Sequence, residues 1–284
     1  MPCLLERSFT ESVLIAQTRQ RIREEFSSDE TDPEKLLETT FDCEVRVAKM
    51  THEERKDLRS ESDFSVSEER GPTLWIVGGI NGSGKTTLCN GPRLAPLFRT
   101  SQVLNADLLA RTLRMVFSDL SQDEADRRAA TLIFDTVVSG VNDGRSLAVE
   151  TVLSTDKYKP VVDNALKRGV RFGFVYLTLD SPEEAIARVS LRVRGENGHD
   201  VPAEKIRDRW ARSHDNWRWF AERAHFGIVF DNGGSRPQKT ILVRDGHLLY
   251  SKDLSEEWES RISTLPKHHD FRISEEDVRW EPGF

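Results

Sequence analysis

With 284 residues, 37% of them hydrophobic and 31% charged, the chain can form one large α/β domain with an extension, or two small domains. No window approaches the roughly 18 apolar residues of a membrane span, and the N-terminus lacks the basic and apolar regions of a secretory signal. A formal net charge of −7 argues against a binder of long nucleic acid, and three scattered cysteines (Cys3, Cys43, Cys89) suit a reducing cytoplasm rather than a disulfide framework or zinc site.

Residues 1–70 read as a charged, helical extension. Leu4, Leu5, Val13, Leu14 and Ile22 recur at helical spacing, and a second helix is predicted from Pro33 to about Met50, with Asp32 as its N-cap. A mixed-charge run from His52 to Asp63 follows and ends at Gly71-Pro72, where a second domain, 71–284, begins. From Leu74 the pattern changes to apolar runs alternating with helical segments. Strands are predicted at Leu74–Val77, Val103–Leu104, Leu147–Val152, Phe172–Leu179, Gly227–Phe230 and Ile241–Val243. Helices are predicted at Leu108–Met115, Ala129–Val141, Pro160–Lys167 and Pro182–Arg194, with a closing helix at Glu256–Leu265. Asp245-Gly246 between two strand-like runs signals a hairpin. Strand and helix in repeated alternation predict an α/β fold with a mostly parallel sheet flanked by helices.

The most informative stretch follows the first strand. Gly79-x-x-x-x-Gly84-Lys85-Thr86 satisfies the Walker A pattern in the strand–loop–helix context that pattern requires, and predicts the P-loop NTPase fold. Gly79, Gly82 and Gly84 let the backbone curl so that successive N–H groups, those of Asn81, Ser83 and Thr87 in the same segment, face phosphate oxygens. Lys85 would reach the β- and γ-phosphates, and the Thr86 hydroxyl would ligate Mg²⁺. The chain carries no Asn-Lys-x-Asp guanine reader, no Asp-x-x-Gly switch after a strand and no Leu-Ser-Gly-Gly-Gln signature. What remains is a small-molecule or nucleotide kinase that uses ATP and Mg²⁺.

Such an enzyme needs an acceptor site and a lid. Asp107 follows the second strand, where a carboxylate could take the proton of an attacking hydroxyl or organise water around Mg²⁺; it could equally cap the next helix. Glu150 sits inside an apolar strand, so it is either paired or lines a polar site with Thr151, Ser154 and Lys157. Arg188 and Arg192 share a helix face, Arg194 ends that helix, and Lys205, Arg207, Arg209 and Arg212 mark another basic helix beyond a glycine-containing loop. This cluster is either a solvated hairpin or a lid that closes on phosphates. His199 reads as a loop-orienting residue. Trp210, Trp217, Trp219 and Phe220 read as core.

Taken in order, these pieces resemble the zeta toxin family of P-loop kinases, in its bacterial branch. The matching segments are Gly-Gly-Ile-Asn-Gly-Ser-Gly-Lys-Thr-Thr (78–87), Asn-Ala-Asp (105–107), Glu-Thr-Val-Leu-Ser-Thr-Asp-Lys-Tyr (150–158), Arg-Val-Arg…Gly-His-Asp-Val-Pro (192–202) and Phe-Asp-Asn (230–232). The resemblance implies ATP-dependent phosphorylation of a small-molecule hydroxyl, with nucleotide sugars such as UDP-N-acetylglucosamine as the substrate class. It implies that Asp107 is the base, that Glu150 and Thr151 belong to the acceptor pocket, that Arg192 and Arg194 belong to the lid, and that Asn232 lies near the adenine edge. The loop at Arg194–Gly198 is one residue longer than the usual form, which leaves open which arginine faces inward. In this family an antitoxin or a fused segment can block the ATP site, so residues 1–70 are expected to act either as a cis-inhibitor or beside such a partner. Two other readings stay open: a kinase of another acceptor (a nucleotide, polynucleotide end or antibiotic), and an ATP-binding regulatory module without transferase activity.

Overall fold

The computed structural model describes residues 71–91, 98, 101–117, 119–194, 201–234, 236–252 and 254–267. The expected helical extension at 1–70 and the loop residue His199 lie outside the described residues. Residues 106–136 belong to one compact unit; the described segments before 106 and after 136 form a second.

The second unit is built on a seven-stranded sheet in the order β2-β3-β1-β4-β5-β6-β7. Its strands are β1 (Thr73–Gly78), β2 (Gln102–Asn105), β3 (Leu147–Thr151), β4 (Arg171–Thr178), β5 (Phe226–Asp231), β6 (Gln238–Arg244) and β7 (His247–Ser251). The first five run parallel, and β6 and β7 are antiparallel. Central strands of a sheet covered on both faces are apolar throughout, as β1 and β4 are: each is buried from its second residue to its last. The helices are α1 (Lys85–Cys89), α2 (Ala106–Val116), α3 (Gln122–Asn142), α4 (Lys159–Lys167), α5 (Pro182–Arg194), α6 (Ala203–Ala221) and α7 (Glu256–Ile262). Of these, α2 and the first part of α3 lie in the other unit.

Register decides which side chains share a face. Trp75 pairs with Ala148, Val175 with Ile228, and Leu177 with Phe230. Their side chains form one buried cluster with Leu88 and Cys89 of α1. The period of two puts Phe172, Phe174 and Tyr176 on the opposite face. There Phe174 stacks on Phe220 of α6 with ring centroids 5.6 Å apart, and Trp217 of the same helix is also buried. Burying a phenylalanine contributes about 1.5–3 kcal/mol, so α6 is fixed to the sheet by its aromatic face. Trp217 and Phe220 are thus core, as their spacing suggested, whereas Trp210 and Trp219 are only half-buried. Arg223 lies over the Trp219 ring at 3.9 Å. The Asp245-Gly246 turn joins β6 to β7, with φ of 47° and 75°, the positive values that a two-residue hairpin of this hand requires.

One titratable group is locked into this interface. His214 of α6 is buried, its Nδ1 is 2.8 Å from the Trp210 carbonyl, and its Nε2 is 3.1 Å from Thr178 Oγ1. The Trp210 carbonyl can only accept, so Nδ1 carries the proton; the Thr178 hydroxyl beside Nε2 donates to the Leu179 carbonyl at 3.2 Å. Burial pushes its pKa below the ordinary 6.5; Arg261 lowers it further, while the Trp210 carbonyl and the charges of Glu257 and Asp215 act in the opposite sense. Below 6.5 the unfolded chain takes up a proton before the folded chain does. Stability from this group is therefore full above that value and falls as pH drops through the folded pKa. Thermal unfolding followed from pH 7.5 down to pH 5 (on the order of the histidine range) should show a steeper loss for the wild type than for His214→Gln. Parallel curves would show that His214 does not carry this dependence.

Candidate functional site

The carboxyl ends of the parallel strands gather on one edge of the sheet, where ligands of open α/β folds bind. β1 ends at Gly78, and residues 79–84 turn back into α1. Gly79 has φ of 142° and Gly84 has φ of 91°. A Cβ on Gly79 would lie 2.5 Å from the Leu177 carbonyl oxygen, and one on Gly84 would lie 2.5 Å from Asn232 Nδ2. Conformation demands glycine at both positions, and at Gly79 the backbone also leaves no room for a Cβ. Asn232, just past β5, donates from Nδ2 to the Ser83 carbonyl at 2.8 Å, and Ser83 N–H donates to the Ile80 carbonyl at 3.1 Å. Asn232, assigned to the adenine edge by the resemblance, is thus tied to the backbone of the phosphate loop. Lys85 Nζ donates to the carbonyls of Gly79 and Ile80 at 2.5 and 2.9 Å. The ammonium folds over its own loop, where phosphate oxygens would be stronger, charged acceptors. The Ser83 hydroxyl is buried in the loop without a hydrogen-bond partner among the described residues.

Thr86 and Thr87 are exposed at the start of α1. Thr86 Oγ1 donates to Glu150 Oε2 at 2.8 Å and accepts from Asn105 Nδ2 at 3.3 Å. This contact follows from register. Glu150 lies opposite Val77 on β1 and opposite Asn105 on β2, one residue before the ends of the β1–β3 pairing. The half-buried carboxylate in an apolar strand is therefore paired, and paired with the residue assigned to the metal. Its field also reaches Cys89: burial pushes that thiol's pKa far up, the Glu150 charge raises it further, and Lys85 opposes the rise. A hydroxyl beside a carboxylate supplies the hard oxygen donors that Mg²⁺ takes, usually together with water and substrate phosphates. Among the described residues no group of three or more His, Cys, Asp or Glu is placed to hold a metal unaided.

The basic residues sort by helix. On α5, Arg188 bonds Glu184 at 2.6 Å and the Asn232 carbonyl at 2.5 Å. Arg192 and Arg194 are exposed in the last turn of α5, before residues 195–200, which lie outside the description. On α6, Arg209 Nη1 donates to Asn81 Oδ1 at 2.8 Å, and Asn81 is only 7% exposed. The sequence marked a basic helix here without singling out Arg209. The available signal was its half-turn offset from Arg207, whose guanidinium faces Glu183 instead. Asn105 was likewise noticed only as a neighbour of Asp107.

Of the residues assigned to the acceptor, Thr151 closes β3 and its Oγ1 accepts from Leu153 N–H at 3.2 Å. Ser154 is half-buried and Lys157 is exposed, its Nζ 5.7 Å from the centre of the Tyr158 ring. Asp107 belongs to the other unit. It is exposed in the first turn of α2, which begins at Ala106, so Asp107 is inside the helix rather than at its cap. No helix among the described residues is long and apolar enough to cross a membrane.

Comparison with known proteins places this geometry in a wider group. No curated protein matches the chain by sequence. Among solved structures, the complex of AvrRxo1-ORF1 with AvrRxo1-ORF2 containing ATP is similar at 16% identity and a TM-score of 0.57, over 81% of this chain and 71% of that one. The same complex with sulphate ions gives 17% identity and 0.57, over 80% and 71%. Against the native complex the chain spans 63% of the other chain's length. The PezAT toxin–antitoxin structure from Streptococcus pneumoniae matches at 16% identity and a TM-score of 0.44, over 81% of this chain and 92% of that one. At these identities the likeness to the two AvrRxo1 complexes is one of fold alone. Residues 74–217, just over half of the chain, match the family model described as the AAA domain, and the chain belongs to that family of P-loop proteins.

Proposed function

We propose that the chain is an ATP-dependent phosphotransferase acting on a hydroxyl of a small molecule, with a nucleotide sugar such as UDP-N-acetylglucosamine as the acceptor. The observation that carries this reading is the contact between Thr86 and Glu150 beside Lys85, at the mouth of a Walker A loop. The nucleotide-sugar assignment rests on the sequence segments 150–158 and 192–202. In this account the loop N–H groups and Lys85 hold the ATP phosphates, with the ammonium exchanging its two backbone carbonyls for phosphate oxygens. Thr86 and Glu150 would hold Mg²⁺, which would supply positive charge against the phosphate oxygens when bound. Asp107, two residues along the chain from Asn105, takes the proton of the acceptor hydroxyl. That oxygen forms a bond to the γ-phosphorus, the bond to the β–γ bridging oxygen breaks, and ADP leaves with the electron pair. Arg209, held by Asn81, joins Arg192 and Arg194 as an arginine that stabilises charge on the transferring group. Thr151, Ser154 and Lys157 orient the acceptor, and Asn232 keeps the phosphate loop in shape.

Two experiments test this. Purified protein is incubated with ATP, Mg²⁺ and a panel of nucleotide sugars, nucleotides and aminoglycosides, and products are followed by mass. A single added phosphate on a nucleotide sugar is expected, and Asp107→Asn should reduce its rate by about 10²–10⁴ while ATP binding persists. Unchanged turnover in that variant would remove Asp107 from the chemistry; phosphate on another class of acceptor would replace the nucleotide-sugar assignment. In the second experiment Mg²⁺ is titrated against Glu150→Gln. If Glu150 holds the metal, the half-saturating Mg²⁺ concentration rises by about 10–100-fold. An unaltered Mg²⁺ requirement with a raised acceptor KM would return Glu150 to the acceptor pocket alone.

We also propose that residues 1–70, or a separate antitoxin, restrain the activity. Removing residues 1–70 should raise turnover in the same screen, and equal turnover of the two chains excludes cis-inhibition.

A further inference from the structure

β3 leaves the sheet after Thr151, whose pairing with Gly78 is the last in the β1–β3 register. The next two residues turn sharply, and Leu153 adopts φ of 62°, a left-handed conformation rare for a bulky side chain. The turn is held from three directions. The Leu153 side chain is buried, and its Cδ2 would be 3.1 Å from a Cβ on Gly78. Thr151 Oγ1 takes the Leu153 N–H. The two carbonyls that have left the ladder are both taken by α6: Ser213 Oγ donates to Val152 O at 2.7 Å, and Asn216 Nδ2 donates to Leu153 O at 3.0 Å. Because the single Ser213 proton goes to Val152, the hydroxyl of Tyr176, 2.9 Å away, donates to Ser213 and completes a buried chain.

Arg209, Ser213 and Asn216 are spaced i, i+4 and i+7, so they line one face of α6. That face meets the phosphate loop at Asn81 and the β3 exit loop at Val152 and Leu153. We infer that Ser213 and Asn216 are positioning residues that set the shape of the β3 exit loop, and through Ser154 and Lys157 the affinity for the acceptor. This deepens the proposed function and rests on the acceptor role given there to that loop. Phe220, stacked on Phe174, and His214, beside Thr178, hold the helix to the sheet, not Asn216. The loop can therefore lose its clamp without the helix losing its seat.

Asn216→Asp keeps the shape of the side chain and replaces its donor by a carboxylate that cannot bond the Leu153 carbonyl. Arg218→Ala, on the exposed side of the same helix, serves as control. Hydrogen exchange of the full chain is measured alongside kinetics with UDP-N-acetylglucosamine and binding of a fluorescent ATP analogue. In Asn216→Asp, amides of residues 153–157 should exchange about tenfold faster, with residues 80–86 unchanged, as expected for one lost hydrogen bond. Acceptor KM should rise by about the same factor while affinity for the ATP analogue stays within about twofold. Exchange equal to wild type at 153–157 overturns the inference, as does a parallel loss of ATP and acceptor affinity. If the wild type transfers no phosphate to this probe, the nucleotide-sugar reading fails, and the exchange data alone decide whether Asn216 holds the loop.

Discussion

The hydrogen bond from Thr86 to Glu150 is the contact on which the site depends. It joins the first turn after the phosphate loop to the neighbouring strand, and it exists only because β3 pairs with β1 in a register that sets Glu150 opposite Val77. A one-residue slip would turn Glu150 to the other face and bring Val149 or Thr151 beside the threonine in its place. The same pairing carries Asn105 to the second side of the threonine through β2. A carboxylate in this place is costly in an apolar strand unless something uses it. A hydroxyl partner and, in the proposed function, a Mg²⁺ ion provide that use.

Around this contact the phosphate loop is held by side chains from distant parts of the chain. Asn232 reaches in from the end of β5, Arg209 from α6, and Arg188 steadies Asn232 through its carbonyl. Each of these residues sits at the carboxyl end of a strand or on a helix packed over that edge. The aromatic face of α6 is what makes its polar face precise: with Phe220 and His214 fixed against β4 and Trp217 packed on Trp258 of α7, the donors at 209, 213 and 216 have little freedom in where they point. Packing energy on one side of the helix is thereby converted into orientation on the other.

Much of this was legible in the sequence, for identifiable reasons. The Walker A loop is local: its glycines, lysine and threonine are set by contacts a few residues apart. The β6–β7 turn at Asp245-Gly246 is local in the same way. The hydrophobic runs located the strands among the described residues, although Gln238–Arg244 extends well past the predicted Ile241–Val243 because Gln238, Lys239 and Arg244 are exposed or half-buried and the buried Thr240 is polar. The partner of Glu150 was not legible, since it depends on strand order, which hydrophobicity does not encode. Arg209 and Asn216 escaped for a related reason. In a helix crowded with charge, only the direction set by Trp217 and Phe220 distinguishes a residue facing the site from one facing water. The grouping of residues 106–136 as a separate unit also left no composition break to read.

The central claim is transfer of the γ-phosphate to a hydroxyl, and phosphorus NMR of one reaction with ATP, Mg²⁺ and UDP-N-acetylglucosamine tests it directly. The account predicts that ADP and a new phosphomonoester resonance on the sugar grow in equal amounts. ADP accompanied only by inorganic phosphate, or ATP bound without any turnover, would contradict it.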